Sequence, residues 1–456
     1  MTWPPSARRH LLLLPLLLSG SPLAAQAISS GAPAPPPAAP APAPSGGALR
    51  ALVKDGVLLR ASLVSDLQAD VAGGLEHGAD NAGLGSLGVD LDLHRLVGIP
   101  GGQIHVTLAV PFGTSVQTRS GNYLQTQSLW FPIHKLELAQ LAYEHTLMGG
   151  KLNLYAGRTN ATAAFARTTY GCSFVSGSQC PFYLTLFTAG ITGFPYVTWG
   201  ARARFNPARK FYLQSGVFSI DPGRRFVSGF DLGLKTATGV IVPVEAGYET
   251  DFSNDRRPRH LRVGGWYNNA PSTDPLLNAR RVSRVLDPGA PLVNRFARGG
   301  FYVVADQVLF RPDASRRALA IFGSFAAPFD SREILASQAV AGALFTGPWA
   351  KRPSDTAGLM VTRIVFTRPQ ALYLNQVLAR NGGTGTIAAQ QYQIEVNYGF
   401  RLARGVTVTP NLQYLVHPDI YRRQDATRVP GNALIVGVRA AISLGDLLGL
   451  PASFPM

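Results

Sequence analysis

The sequence predicts an all-β protein: a transmembrane antiparallel β-barrel, of sixteen strands by count, with a loop folded into it as a constriction. Three observations carry this. From residue 57 onward, apolar and polar residues alternate with period two over stretches of about ten to twelve residues. Strands of soluble proteins average about five or six residues, whereas a tilted strand crossing lipid needs about 9–11. Aromatic residues recur near the ends of these stretches, as at Phe310, Phe366, Tyr398 and Phe400, where the interfacial girdles of barrels lie. Finally, the chain opens on an export signal. A soluble sandwich alternates for the same reason, but with shorter strands.

Composition narrows the class. The 456 residues are 46% hydrophobic, which excludes a disordered chain. Forty-two Lys and Arg against 26 Asp and Glu give a net charge of +16, which first suggests nucleic acid. The cations, however, are scattered singly among apolar residues, and all but Lys54, Lys135, Lys151, Lys210, Lys235 and Lys351 are Arg. Arg is suited to lining a recognition surface through planar, bidentate contacts. Nucleic-acid partners are therefore not expected.

The elements follow in chain order. Arg8-Arg9-His10, the apolar run Leu11–Leu18 and the small residues around Ala25-Gln26-Ala27 form a Sec signal peptide over residues 1–27. No Cys lies near the cleavage point, so a lipoprotein anchor is not expected. Residues 28–50, rich in Ala and Pro and nearly without charge, read as a flexible spacer. The barrel is expected over 51–444, with a tail at 445–456.

Candidate strands are 57–66, 86–95, 102–112, 135–145, 151–161, 195–206, 209–220, 239–250, 259–269, 299–311, 316–327, 337–348, 357–367, 391–402, 405–416 and 432–444. The stretch 391–402 sets Tyr392, Ile394, Val396, Tyr398, Phe400 and Leu402 on one face and Gln391, Gln393, Glu395, Asn397 and Arg401 on the other. In 197–206, Trp199, Ala201, Ala203 and Phe205 oppose Arg202 and Arg204; in 240–250, Val240, Val242, Val244 and Ala246 oppose Glu245 and Glu249. A seventeenth stretch, 228–237, also alternates. Short turns (96–101, 146–150, 207–208) and long connections (67–85, 113–134, 162–194) take turns along the chain only if 228–237 is a loop. Bacterial single-chain barrels have an even number of strands. Sixteen leave an aqueous channel.

Several segments resemble the carbohydrate-selective porin family (OprB type). They are Leu87-Gly-Val-Asp-Leu-Asp-Leu-His-Arg-Leu-Val-Gly98 followed by Gly101-Gly-Gln-Ile-His105; Ala142-Tyr-Glu144 leading to Gly150-Lys-Leu-Asn-Leu-Tyr-Ala-Gly-Arg158; Cys172-Ser-Phe174; Trp199-Gly200; Glu245-Ala-Gly-Tyr248; Gly264-Gly-Trp-Tyr-Asn268; Gly300-Phe-Tyr-Val-Val-Ala-Asp-Gln307; and Glu395-Val-Asn-Tyr398 continuing to Pro410-Asn-Leu-Gln-Tyr414 and His417-Pro418. In order they cover nearly all of 57–444. The resemblance implies a bacterial outer-membrane porin for passive diffusion of monosaccharides such as glucose. Such barrels usually end on an aromatic residue; here the last strand stops near Leu444, and Phe454 lies in the tail.

The polar strand faces supply the pore-lining or sugar-contact candidates: Arg202, Arg204, Glu245, Arg262, Trp266, Gln393, Glu395, Asn397 and Arg439. Sugar passage needs fixed hydrogen-bonding groups that replace lost hydration, and a flat apolar surface for the C–H faces of the ring. Glu144 and Arg158 match family positions, although Arg158 shares the parity of Leu152 and Leu154, which should face lipid. Cys172 and Cys180 lie eight apart in the connection 162–194, and in an exported chain a disulfide is expected. That connection follows the fifth strand, where porins fold a constricting loop inward.

The expected partners are the carbohydrate solute and outer-membrane lipid with lipopolysaccharide, with assembly into a homotrimer left open. No metal and no cofactor are expected. Two other readings stay open. The Arg excess suits an anion porin for phosphate or sugar acids, and the barrel could carry an enzyme or adhesin. Against an enzyme, Gly83-Leu-Gly-Ser-Leu-Gly88 precedes a strand where a dinucleotide fingerprint would follow one. His94, His105 and His260 also lie on separate strands without an evident Ser or Asp partner.

Overall fold

The computed structural model describes residues 47–454, apart from 130, 132–133, 179, 181–192, 223–227 and 313–316. The signal segment and residues 28–46 lie outside the described residues. Sixteen antiparallel strands close into one barrel: β1 (Val57–Gly74), β2 (Gly78–Asp92), β3 (Gly102–Gly113), β4 (Glu137–Leu147), β5 (Leu152–Thr159), β6 (Thr198–Ala208), β7 (Phe211–Ile220), β8 (Gly239–Glu249), β9 (Arg259–Asn268), β12 (Arg298–Phe310), β13 (Ala318–Pro328), β14 (Leu335–Thr346), β15 (Thr356–Phe366), β16 (Gln390–Ala403), β17 (Val406–Val416) and β18 (Gly431–Ser443). The short strands β10 (Ser272–Asn278) and β11 (Leu292–Arg295) pair only with each other, within the connection between β9 and β12. Closure comes from β1 against β18, where Asp66 stands opposite Arg439. The sixteen-strand count holds, and 228–237 is a connection, as the alternation of loops requires.

Period two sorts the residues. Leu213, Val217, Val244, Val263, Leu359, Val396 and Leu412 are exposed on the outer face. Gln214, Glu245, Arg262, Thr362, Gln393, Glu395 and Gln413, at the opposite parity, are buried inside. Each of the sixteen barrel strands hydrogen-bonds on both sides, so the wall has no open edge facing lipid.

The expected long connection 67–85 is corrected. β1 runs on to Gly74 and β2 begins at Gly78, with the register unbroken from Val57–Leu91 to Asp70–Gly78. The Gly- and Asp-rich sequence of β2 hides a strand because its outward positions there, Ala79, Asn81, Gly83 and Gly85, are small or polar. Phe366 is also not a girdle residue, being buried on the inner face at 2% exposure.

Both ends of the described residues, 47 and 454, lie at the short-turn end. Helix α1 (Gly47–Lys54) begins inside the segment expected to be spacer, and helix α2 (Leu93–Val97) makes the turn from β2 to β3. Asp92 caps α2 by accepting from His94 and Arg95 backbone N–H groups, and Gly98 at φ 76° closes it. A further short helix, α3 (Gln117–Ser120), lies in the connection after β3, and helix α4 (Arg368–Arg380) stands at the opposite, long-loop end, capped by Thr367. Helix α5 (Leu444–Leu448) leads the tail back, so that Val53, Leu58, Leu450 and Phe454 form one apolar cluster. The tail's aromatic residue is thus packed against α1, with the Arg95 guanidinium 5.6 Å from its ring.

Candidate functional site

Two connections fold into the barrel. A loop buried in this way carries backbone N–H and C=O groups that must find partners, and inward side chains of the wall supply them. In the connection 160–197, Glu395 of β16 accepts the backbone N–H groups of Val175 (2.7 Å) and Ser176 (2.9 Å). Asn397 donates to Ser173 O at 3.0 Å, Arg439 to Phe174 O at 3.0 Å, and Gln338 to Ser178 O at 2.7 Å. Across the barrel, Glu245 accepts the Ala166 N–H at 2.8 Å and the Tyr212 and Tyr302 hydroxyls at 2.7 and 2.9 Å. Those two rings fit because Gly247 and Gly264 face them; a Cβ at either would sit 2.1–2.4 Å from ring atoms. Cys172 and Cys180 form a disulfide within this connection.

The second inner connection, 114–136, went unrecognised in the sequence. Gln413 donates to Thr126 O at 2.9 Å, Gln393 to Gln125 O at 3.3 Å, and Gln127 to Asp66 O at 2.6 Å. The two inner connections also pair with each other, Ser128 N–H to Val175 O at 2.9 Å and Gly177 N–H to Gln125 O at 3.0 Å. The signal that could have found it is the polar, Gln- and Asn-rich run 115–128, which matches the amide-rich wall of β16 and β17.

The remaining inward groups form a belt of paired charges toward the short-turn end. Arg60 meets Asp90 at 2.6 Å, His105 contacts Asp90 at 2.7 Å and Glu144 at 3.0 Å, and Asn153 donates to Glu144 at 2.7 Å while bonding Arg202. Arg204 then meets Glu249 at 3.0 Å, and Arg262 meets the same carboxylate at 2.8 Å and Asp306 at 3.8 Å. The Arg202 guanidinium lies 5.6 Å from the Tyr155 ring centroid and that of Arg204 lies 3.8 Å from Tyr212. Arg60, Asp90, His105, Glu249 and Asp306 were not among the candidates named from the sequence. All five face inward, and His105 shares its parity with Gln103 and Thr107, whereas Asp306 shares its own with the apolar Tyr302, Val304 and Val308.

The candidates thus separate. Glu144, Arg202, Arg204 and Arg262 join the belt. Glu245, Gln393, Glu395, Asn397 and Arg439 hold the inner connections. Trp266 faces inward with Arg262 but is buried in an apolar cluster, its ring over Gly300, where a Cβ would meet it at 2.2 Å.

Arg158 does not line the lumen. Its cross-strand partners are Leu141 and Trp199, which belong to the outward parity. Residues 228–232 fold over that outer wall, so Arg158 donates to Val197 O at 3.1 Å and Gly229 O at 3.4 Å, and Trp199 Nε1 donates to Leu232 O at 2.9 Å. The outward charge is tolerated because protein covers it.

The histidines also need correction. His105 has Asp90 and Glu144 as partners, and His94 lies in α2. His260 contacts Asp306 at 2.5 Å with Thr169 beside both. This is no nucleophile relay. The Thr169 hydroxyl donates to Asp306, and the same Nδ1 faces both partners, so no second ring nitrogen is in line to take the proton.

Charge does not follow the expectation of an Arg-dominated lumen. The described inward groups include seven arginines (Arg60, Arg167, Arg202, Arg204, Arg262, Arg298, Arg439) and nine carboxylates (Asp66, Asp70, Asp80, Asp90, Glu144, Glu245, Glu249, Asp306, Glu395). The positive excess resides in the turns and loops at the two ends.

A closed sixteen-stranded barrel whose lumen is narrowed by two tethered loops defines an outer-membrane porin, a channel by architecture. The sequence model of the carbohydrate-selective porin, OprB family, matches residues 76–444, and the chain belongs to that family. Porin B of Pseudomonas aeruginosa is 24% identical over 415 residues, covering 86% of this chain and 89% of its own. The high-pH structure of Pseudomonas putida OprB superposes with a TM-score of 0.79 at 22% identity, over 88% of this chain and 97% of that one. The low-pH structure of the same protein gives 0.53 at 18% identity, over 88% and 96%. The protein therefore resides in the bacterial outer membrane, with its short turns periplasmic and its long loops outside.

Proposed function

We propose that this carbohydrate-selective porin passes neutral monosaccharides such as glucose by passive diffusion, with Glu144, Arg202, Arg204 and Arg262 meeting the solute. The belt of alternating guanidinium and carboxylate groups carries this reading. A hexose hydroxyl can donate to a carboxylate and accept from a guanidinium, so a compensated belt replaces hydration from either side. Tyr155 and Tyr212, each beside an arginine, offer flat surface for C–H faces. A free anion gains little in a lumen whose carboxylates outnumber its arginines, which disfavours the anion-porin reading.

Liposome swelling tests it. Proteoliposomes should admit glucose faster than gluconate, a sugar acid of similar size, and Glu144→Gln with Arg202→Gln should slow glucose. Faster entry of gluconate would replace this reading with the anionic one.

A further inference from the structure

We infer that the periplasmic rim around Arg317 and residues 347–355 is a docking surface for anionic phospholipid head groups of the inner leaflet. The turn between β14 and β15 carries Trp349, 64% exposed, beside the exposed cations Lys351 and Arg352. Exposed Arg317, at the start of neighbouring β13, completes the patch. The Arg317 guanidinium lies 5.3 Å from the Phe345 ring centroid and that of Arg352 lies 5.6 Å from Phe400.

Both rings belong to the lipid-facing set. Phe345 stands opposite Leu319 on the outward parity of β13 and β14, and Phe400 is exposed on the face it shares with Val396. The guanidinium groups therefore sit where the acyl region ends and water begins. Among the described residues of these turns the one carboxylate is Asp355, and it is already taken by Arg352, by the Tyr398 hydroxyl at 3.0 Å and by the Arg401 N–H at 2.9 Å. That leaves no described acid paired with Arg317 or Lys351.

A phosphodiester fits this arrangement. Its two free oxygens accept from a guanidinium fork and an ammonium at once, while an indole occupies the same interfacial depth. A folded periplasmic partner would have to reach groups turned toward the bilayer, which is why lipid is the occupant.

Native mass spectrometry of the purified protein in detergent, with phosphatidylglycerol or phosphatidylethanolamine added, tests this. Phosphatidylglycerol should be retained in preference, and less so as salt rises. Arg317→Gln with Lys351→Gln should weaken its retention by about 25-fold, at roughly fivefold per cation near a membrane surface. Arg368→Gln with Arg380→Gln, on the extracellular helix α4, should leave it unchanged. Heat-modifiable migration in electrophoresis reports that each barrel is folded. The salt dependence of the unmodified protein serves as the measurement if the double variant misfolds. Equal retention of both lipids, retention insensitive to salt, or an undiminished preference in the folded double variant overturns the inference. So does complete displacement by millimolar inorganic phosphate, which would make this a site for free phosphate.

Discussion

Replacing Glu395 by Ala should loosen the constriction without unfolding the barrel. The carboxylate is buried and accepts two backbone N–H groups, from Val175 and Ser176, at 2.7 and 2.9 Å. Hydrogen bonds to a charged group contribute about 1.5–3 kcal/mol each, so roughly 3–6 kcal/mol of local tethering is lost. The connection keeps its bonds from Asn397, Arg439 and Gln338 and its pairing with the 114–136 connection. Segment 173–178 should therefore fluctuate while remaining inside. In planar bilayers the variant should show higher single-channel conductance, more open-channel noise and weaker block by glucose. Glu144→Gln should weaken block with no added noise, because Glu144 holds no loop. Conductance, noise and block all equal to the unmodified protein would refute the idea that Glu395 sets the width of the pore.

Other expectations follow from the same geometry. No thiol should react with an alkylating reagent before reduction and two should react after it; reactive Cys172 or Cys180 in the unreduced envelope protein would contradict the disulfide. Arg158→Ala should release residues 228–232 to protease and leave conductance unchanged, since Arg158 lies outside the lumen; a changed conductance would restore it to the pore. Under a KCl gradient the reversal potential should lie close to zero, and Glu249→Gln with Asp306→Asn, which strips Arg204 and Arg262 of their carboxylate partners, should turn the channel toward anions. Strong anion selectivity in the unmodified protein would mean that the pairing does not cancel the field. In the extracellular connection 417–430, Asp419 accepts the Tyr123 N–H at 2.7 Å and the Gln391 amide at 2.5 Å, and burial raises it from 3.8 to about 6. A raised folded value favours the protonated form, so this clasp is fully present below about pH 4 and weakens as pH passes 6. Hydrogen exchange at residues 120–126, corrected for intrinsic rate, should be greater at pH 7.5 than at pH 5, and Asp419→Asn should remove the difference.

The barrel was legible because period two marks a wall between lipid and water, and β16 shows it without exception from Gln391 to Phe400. The strand count was legible because 228–237, although alternating, would have broken the order of turns and loops. What that stretch does could not be read: it covers the outer wall over Arg158, a contact between segments some 70 residues apart that no local pattern encodes. The roles of Glu245 and Glu395 were hidden for a related reason. Parity says that a carboxylate faces inward, but whether it meets solute or a loop backbone depends on where the loops travel. The 114–136 connection carries no periodicity at all, only polar groups whose partners lie up to 311 residues away.

Inward polarity and loop insertion are in fact one requirement. A sixteen-stranded wall alternating apolar and polar necessarily turns a full polar face on its interior, and that face is far wider than a hexose. Filling it with apolar loops would strand the wall's carboxylates and amides without partners. Filling it with backbone satisfies both sides, since inserted N–H groups meet the carboxylates of Glu245 and Glu395 and inserted carbonyls meet Arg439, Asn397 and the amides of Gln338, Gln393 and Gln413. The same pairing leaves the lumen with fewer arginines than carboxylates, so the cations of this basic chain collect at its two ends. At the extracellular and periplasmic mouths they can meet water and head groups, where a guanidinium costs least to solvate. The net charge of +16 therefore describes the surroundings the barrel sits in, and the constriction chooses its solute by hydrogen bonds between fixed, mutually neutralised groups.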